Sequence, residues 1–269
     1  MGQRTTPRAS TLGGAVLALA ALIALAVSTL WPQNDGGTAL PALTPVSSAP
    51  ATAEPLDDNA SEGSAPSPVA SAPVIGTATD VLAGLPTKGR APKTGYDRTG
   101  HFGRAWIDVD HNGCDTRNDI LARDLIDETL EGTCKVMTGW LDNVYGGVDV
   151  AFTRGQDTST AVQIDHVVAL MNAWETGAQQ IPQAQREALA NDPLNLQATD
   201  ASSNARKQAG DAATWLPPAN GYRCEYVARQ ISVKAVYGLW VTAPERSAME
   251  GTLAACPGQP AAGTMRGTP

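Results

Sequence analysis

The feature that most limits how this chain folds is the composition of residues 32–92. Stretches such as PALTPVSSAPATAEP and SAPSPVASAP hold Pro, Ala, Ser, Thr and Gly with few aliphatics and no periodic order. Such a segment buries too little apolar surface to offset chain entropy, so residues 32–92 read as a disordered tether. Residues 93–258 are left as one folded domain of ordinary size, and residues 259–269 as a short disordered tail.

Ahead of the tether, Arg4 and Arg8 precede an uncharged stretch from Ala9 to Gln33 with a strongly apolar core from Leu12 to Trp31. Residues 1–31 therefore read as a signal peptide, with Ala26-Val27-Ser28 as a small-x-small cleavage site, or as a retained membrane anchor. Both readings put the domain outside the cytoplasm, secreted or tethered. All four cysteines lie in the domain, at positions 114, 134, 224 and 256. An even count in an exported chain points to disulfides, and the wide spacings without a CxxC argue against zinc.

Charge narrows the function. Between Ala91 and Pro260 there are 14 Lys and Arg against 21 Asp and Glu. A protein that holds nucleic acid through its overall field is normally basic, so a nucleic-acid substrate here must rely on a local cluster and bound cations.

The domain reads as mixed helix and strand. Asp115 or Thr116 caps a helix expected to run to about Leu130, and strands follow at 134–140, 148–152 and 161–168. Short helices at 170–178 and 183–190 lead to a strand in DPLNLQAT. Asp200 or Ser202 then caps a helix that Gly210 should end. Cys224 to Tyr237 is helical, and Thr242-Ala-Pro-Glu245 is a capping box for a last helix to about Cys256. Packed antiparallel, those two helices bring Cys224 near Cys256. Cys114 and Cys134 form the other expected pair.

Within this frame Asp165-His166 sits on a strand, Asn195 on the next, and Asn204 and Lys207 on one face of the following helix. Two oxygen ligands, Asp165 and Asn204, suit a hard cation such as Mg²⁺ or Mn²⁺ completed by water and phosphate. A neutral imidazole at His166 is a suitable base for activating water, and Asn195 braces the loop that presents it. Arg206 and Lys207 are the nearest basic pair and the candidate phosphate contacts.

The pattern DH…N(x8)N(x2)K resembles the HNH, or ββα-metal, nuclease motif. The wider string QIDHVVAL…NDPLNLQA…WLPP resembles the C-terminal nuclease domain of GmrSD-type restriction enzymes from about Tyr96 to Pro257, with CDTRNDIL and YVARQ agreeing with its secreted branch. The last ligand position holds Asn204 where the motif is named for His. The resemblance implies an α+β fold with a ββα-metal core, added helices and a β-hairpin after the tether. It also implies a metal-dependent endonuclease hydrolysing phosphodiester bonds, of DNA rather than RNA, to 5′-phosphate and 3′-hydroxyl ends. Its roles carry over as Asp165 and Asn204 for the metal, His166 for the base and Asn195 for the brace. The chain has no P-loop, so no NTP is expected as a partner.

A second metal pattern is Asp108-x-Asp110-x-Asn112-Gly113 with Asp119 at the twelfth position. It matches a Ca²⁺ loop apart from the final Asp and the missing preceding helix. A structural Ca²⁺ site and a turn held by Asx hydrogen bonds are both open readings. His101 and His111 are expected to face solvent. A peptidase lacks support, with no HExxH, no GxSxG and no Cys near a His. The remaining alternative is a catalytically inactive, envelope-tethered binding module stabilised by Ca²⁺ and disulfides.

Overall fold

The computed structural model describes residues 76–262; the apolar run of residues 1–31, most of the tether and the end of the tail lie outside them. The chain forms α1 (Ala78–Gly84), α2 (Arg98–Phe102) and α3 (Thr116–Asp124), then strands β1 (Leu125–Glu131), β2 (Lys135–Leu141), β3 (Val150–Thr153) and β4 (Val162–His166). Helices α4 (Leu170–Glu175) and α5 (Gln183–Asn191) lead to β5 (Leu196–Asp200), which runs into α6 (Ala201–Lys207). Two longer helices, α7 (Arg223–Val236) and α8 (Ala243–Leu253), complete an α+β domain.

Local chemistry starts the helices. Asp115 accepts from the Asn118 N–H at the head of α3, Asp200 from the Ser203 N–H at the head of α6, and Thr242 and Glu245 form a reciprocal capping box on α8. Each cap is worth about 1 kcal/mol. The expected continuation of α3 to Leu130 is corrected: the helix stops at Asp124, and Leu125 and Ile126 pair with Leu141 and Trp140 across the β1–β2 ladder. Apolar residues there satisfy either period, and the cross-strand partner decides between them.

β1, β2 and β3 form an antiparallel sheet in that order, whereas β4 and β5 form a separate antiparallel pair with Asp165 opposite Gln197 and His166 opposite Leu196. α6 follows β5 without a loop and packs on both strands of the pair.

The core has three parts. Ile120, Leu121, Val136 and Phe152 pack with Ile164 and Leu196 between the two sheets. Val227 and Ile231 on one side of α7 meet Leu82, Met249 and Leu253, while Val233 meets Leu170, Ala173 and Leu189. α7 also carries Arg229, which is buried and donates to the carbonyls of Leu194 at 3.0 Å and Leu196 at 2.9 Å, fixing the entry to β5.

Two boundaries differ from expectation. The tether does not extend to residue 92, because α1 buries Ala78 and Leu82 against α7 and α8. The tail does not begin at 259 either, because Gln259 accepts from the Ala78 N–H and the Ala261 N–H donates to Gly76, which closes both ends of the fold together. Both segments are too short to fold alone and are ordered by that mutual burial. Cys114–Cys134 and Cys224–Cys256 are bonded, with Cα separations of 5.4 and 6.4 Å, and there is no free cysteine.

Candidate active site

Successive residues of a strand face opposite sides, so neighbours in sequence meet different partners. On β4, Gln163 and Asp165 turn toward α6. Helix positions three apart share a face, and they meet strand positions two apart: the Asn204 amide donates to Gln163 Oε1 at 2.8 Å, and the Lys207 ammonium donates to Asp165 Oδ1 at 3.1 Å. The Tyr145 hydroxyl donates to Asp165 Oδ2 at 3.0 Å, and Lys207 also reaches the His166 carbonyl at 2.7 Å. Asp165 is thus enclosed. Burial pushes its carboxyl above the usual range, and the charge of Lys207 opposes that shift.

His166 turns the other way, toward the end of α5. Its Nε2 lies 2.9 Å from the Ala190 carbonyl oxygen. A carbonyl only accepts, so Nε2 carries the hydrogen and Nδ1 carries the lone pair. Burial is the main cause that lowers the imidazole to about 3; Ala190 opposes this, and the charges of Arg98 and Lys207 add to it. The ring is neutral throughout the physiological range. A neutral imidazole is the form expected of a base, but its proton affinity is far below that of a free histidine. Lys207 therefore links the two residues, paired with Asp165 and acting on His166.

Asn195, fully buried, lies just before β5 and not on a polar strand face. Its Oδ1 accepts from the Val168 N–H at 2.8 Å, and its Nδ2 donates to the carbonyls of Val168 and Leu189. Its own carbonyl accepts from the Val167 N–H at 2.7 Å. The segment leaving His166 is held on both edges by this one residue.

A shallow pocket opens beside His166, lined by Arg98, Phe102, Trp106, Leu170 and Ala190 among others. Its outer wall is the loop after α2, which the end of α5 fastens. Asn191 Oδ1 accepts from the backbone N–H groups of Trp106 and Ile107 at 3.0 and 3.3 Å. Gly103 has φ +67°, and a Cβ there would lie 2.8 Å from Glu187 Cγ, so only glycine lets the loop approach α5. Trp106 itself has φ +64°, an unusual state for a bulky residue that those two bonds hold in place.

The expected phosphate pair is split. Lys207 is buried and engaged by Asp165, so it is not a surface cation, and Arg206 donates to the hydroxyls of Ser202 and Ser203. The acidic loop closes on itself: Asn112 donates to Asp110 and Asp119, and Asp108 accepts from the Gly113 N–H at 2.9 Å. Among the described residues no three His, Cys, Asp or Glu side chains come together as a metal site. This loop thus forms the hydrogen-bonded turn without converging carboxylates. His111 is exposed, but His101 stacks on Trp174 with ring centroids 4.3 Å apart, so it does not simply face solvent. Sequence reasoning missed Tyr145, Arg98 and Trp106. For Arg98 and Trp106 the local sign was the aromatic and basic string YDRTGHFGRAW, which does not include Tyr145.

Comparison with known proteins adds three findings. The model of a family described as GmrSD restriction endonucleases, C-terminal domain, matches residues 115–250. An "Uncharacterized secreted protein" of the fungus Arthroderma benhamiae is 36% identical over 182 residues, covering 67% of this chain and 85% of that protein. No solved structure matches.

Proposed function

The chain belongs to the family of GmrSD restriction-endonuclease C-terminal domains, and from that premise we propose that it is an extracytoplasmic HNH-type, or ββα-metal, endonuclease cutting phosphodiester bonds of nucleic acid, DNA before RNA. The observation that carries this reading is the fixed tautomer of His166: Ala190 holds Nε2–H, and the Nδ1 lone pair is left to accept a proton. The β4–β5 pair followed directly by α6 is the arrangement such a core requires.

Asp165 and Asn204 are the residues that would hold Mg²⁺ or Mn²⁺. A carboxylate and an amide oxygen are the hard donors these ions prefer, and Asn204 Nδ2 takes the bond to Gln163, which leaves its oxygen for a ligand. The donors fit, on condition that Lys207 yields part of the Asp165 carboxylate. When bound, the cation supplies positive charge against the charge that builds on the phosphate. The rest falls to the protein. His166 Nδ1 takes a proton from water as its oxygen bonds to phosphorus, the P–O3′ bond breaks, and solvent protonates the leaving 3′ oxygen. The products are a 5′-phosphate and a 3′-hydroxyl. Asn195 and Ala190 keep the ring oriented. An anionic phosphate beside the imidazole raises its proton affinity from the depressed value that burial gives it.

Two disulfides suit an oxidising compartment, and the relative's name calls that protein secreted. A membrane tether would depend on residues 1–31, which lie outside the described residues. Among the described residues no helix is long and apolar enough to cross a membrane. A structural Ca²⁺ at Asp108, Asp110, Asn112 and Asp119 remains a proposal, supported by the buried Asp108 Oδ1, which has no hydrogen-bond partner.

A second reading, an inactive nucleic-acid-binding module, is favoured by the neutralised, enclosed Asp165. Incubating the protein with plasmid and with RNA, in Mg²⁺ and then in EDTA, separates the two. Cleavage that EDTA abolishes and His166→Gln removes supports the nuclease; binding without cleavage supports the module.

A further inference from the structure

We propose that Arg98 and Trp106 form the substrate subsite beside His166, with Arg98 holding the phosphate at the scissile bond and Trp106 stacking an adjoining unpaired base. This rests on the nuclease reading and names its substrate contacts, which lie on a segment before the stretch the family model covers.

Arg98 is an exposed cation on the wall of the His166 pocket, and its guanidinium makes no hydrogen bond or ion pair among the described residues. Of the other basic groups near the site, Lys207 is committed to Asp165, Arg206 to two serines and Arg186 to the His101 carbonyl, while the exposed Arg104 does not line the pocket. The apolar walls from Phe102 and Leu170 strengthen the field of a lone guanidinium there. Arg98 and His166 line one pocket, so an anion drawn to Arg98 comes to rest beside His166. An acidic chain needs such a local anchor.

Trp106 lines the same pocket, half-buried, on a backbone that two hydrogen bonds accepted by Asn191 Oδ1 hold at positive φ. The next residue back along α5, Ala190, fixes the His166 tautomer. One helix end therefore positions both the base and the stacking ring. An indole beside a cation is the pairing that binds a nucleotide with its base unstacked, which a base inside a duplex does not offer.

The test uses the full chain in EDTA, where binding is read without cleavage, by fluorescence anisotropy of a labelled single-stranded 12-mer and of a hairpin duplex. Melting temperatures are recorded alongside. Wild type should prefer the single strand. Arg98→Ala should weaken binding about tenfold and lower the slope of log K against log salt by about 0.7, the contribution of one phosphate contact on a single strand. Trp106→Ala should weaken single-strand binding about tenfold and erase the preference, while Trp106→Phe, which keeps a ring, should recover most of both. Lys135→Ala, at an exposed position on β2, serves as the control and should bind like wild type, and Arg206→Ala tests the rival contact on α6. The subsite is overturned if Arg98→Ala and Trp106→Ala bind like wild type with an unchanged salt slope, or if Arg206→Ala takes the loss instead. Either result leaves the nuclease reading standing where Mg²⁺-dependent cleavage is present. A chain that neither binds nor cleaves nucleic acid overturns both.

Discussion

Lys207 and Asp165 form a buried ion pair, with the ammonium 3.1 Å from Oδ1 and 3.0 Å from Oδ2 and side-chain exposures of 0% and 6%. A cation of the protein's own thus occupies the carboxylate that the family's chemistry assigns to a divalent ion. Under the proposed function Lys207 and an ion would compete for the same oxygens, which the ammonium and the Tyr145 hydroxyl hold in this structure.

Removing the ammonium exposes that competition. Lys207→Met fills similar space but leaves the buried carboxylate with Tyr145 alone, at a cost of about 3–5 kcal/mol in EDTA. In a domain of this size that lowers the melting temperature by roughly 10 °C. Mg²⁺ or Mn²⁺ should then restore more of the loss in the variant than it adds to wild type. Equal metal-dependent shifts in both proteins would show that Lys207 and the ion do not share a site.

Asn195 should act through the backbone it satisfies. Asn195→Ala leaves the Val168 N–H and the carbonyls of Val168 and Leu189 without this partner inside the protein. Each buried unpaired group costs about 1–3 kcal/mol. The variant should lose several degrees of melting temperature, and hydrogen exchange at the Val168 amide should quicken more than exchange in α8. Uniform quickening across both would mean a global effect with no local brace.

The two disulfides close loops with sequence separations of 20 and 32. By the chain-entropy relation each should stabilise the fold by about 3–4 kcal/mol. Cys224→Ser with Cys256→Ser should lower the urea midpoint accordingly, and non-reducing peptide mapping of wild type should find only the two observed pairings.

How much of this was legible in the chain depends on distance. Caps are local, so Asp115, Asp200 and the Thr242–Glu245 box can be read from spacing alone, as can the strand–strand–helix order around Asp165, Asn195 and Asn204. Leu125 and Ile126 cannot be assigned locally, because β2 supplies the partners that make them strand. α1 is concealed in a low-complexity stretch, since Ala78 and Leu82 gain a core only from α7 and α8. A lysine near a helix end reads as solvated. Only the packing of α6 on β4 buries Lys207 and redirects it to Asp165. Arg98 and Trp106 carry no periodic signal at all, and they reach His166 because α5 holds their loop.

The pH dependence of stability follows from His166. Its folded value is about 3 and its reference value 6.5, so between them the unfolded chain binds a proton that the native chain does not. The contribution is complete above 6.5 and is lost as pH falls toward 3. At pH 5 the loss is roughly 2 kcal/mol relative to pH 7.5. Urea unfolding of wild type and His166→Gln at both pH values should show this acid sensitivity in wild type only. Taking the difference between the proteins cancels most of the opposing effect of Asp165, whose carboxyl is shifted up. Parallel stability curves would place a charged imidazole in the fold.

The same substitution decides what the imidazole is for. His166 is buried and bonded to Ala190, so His166→Ala removes packing and a hydrogen bond together, and lost activity in that variant has two causes. His166→Gln separates them, because its amide N–H still donates to the Ala190 carbonyl while the Nδ1 lone pair is gone. If His166 is the general base, the glutamine variant should melt within a few degrees of wild type at pH 7.5. It should also cleave about 10²–10⁴-fold more slowly at saturating Mg²⁺ and substrate. Because the wild-type ring is already neutral at pH 5, kcat/KM, which reports the free enzyme, should show no inflection near 6.5 and stay level from pH 5 to 8. An inflection would then belong to the substrate-bound state and should appear in kcat. A glutamine variant that cuts within threefold of wild type per folded molecule would reduce His166 to a packing residue and leave the proton to another acceptor.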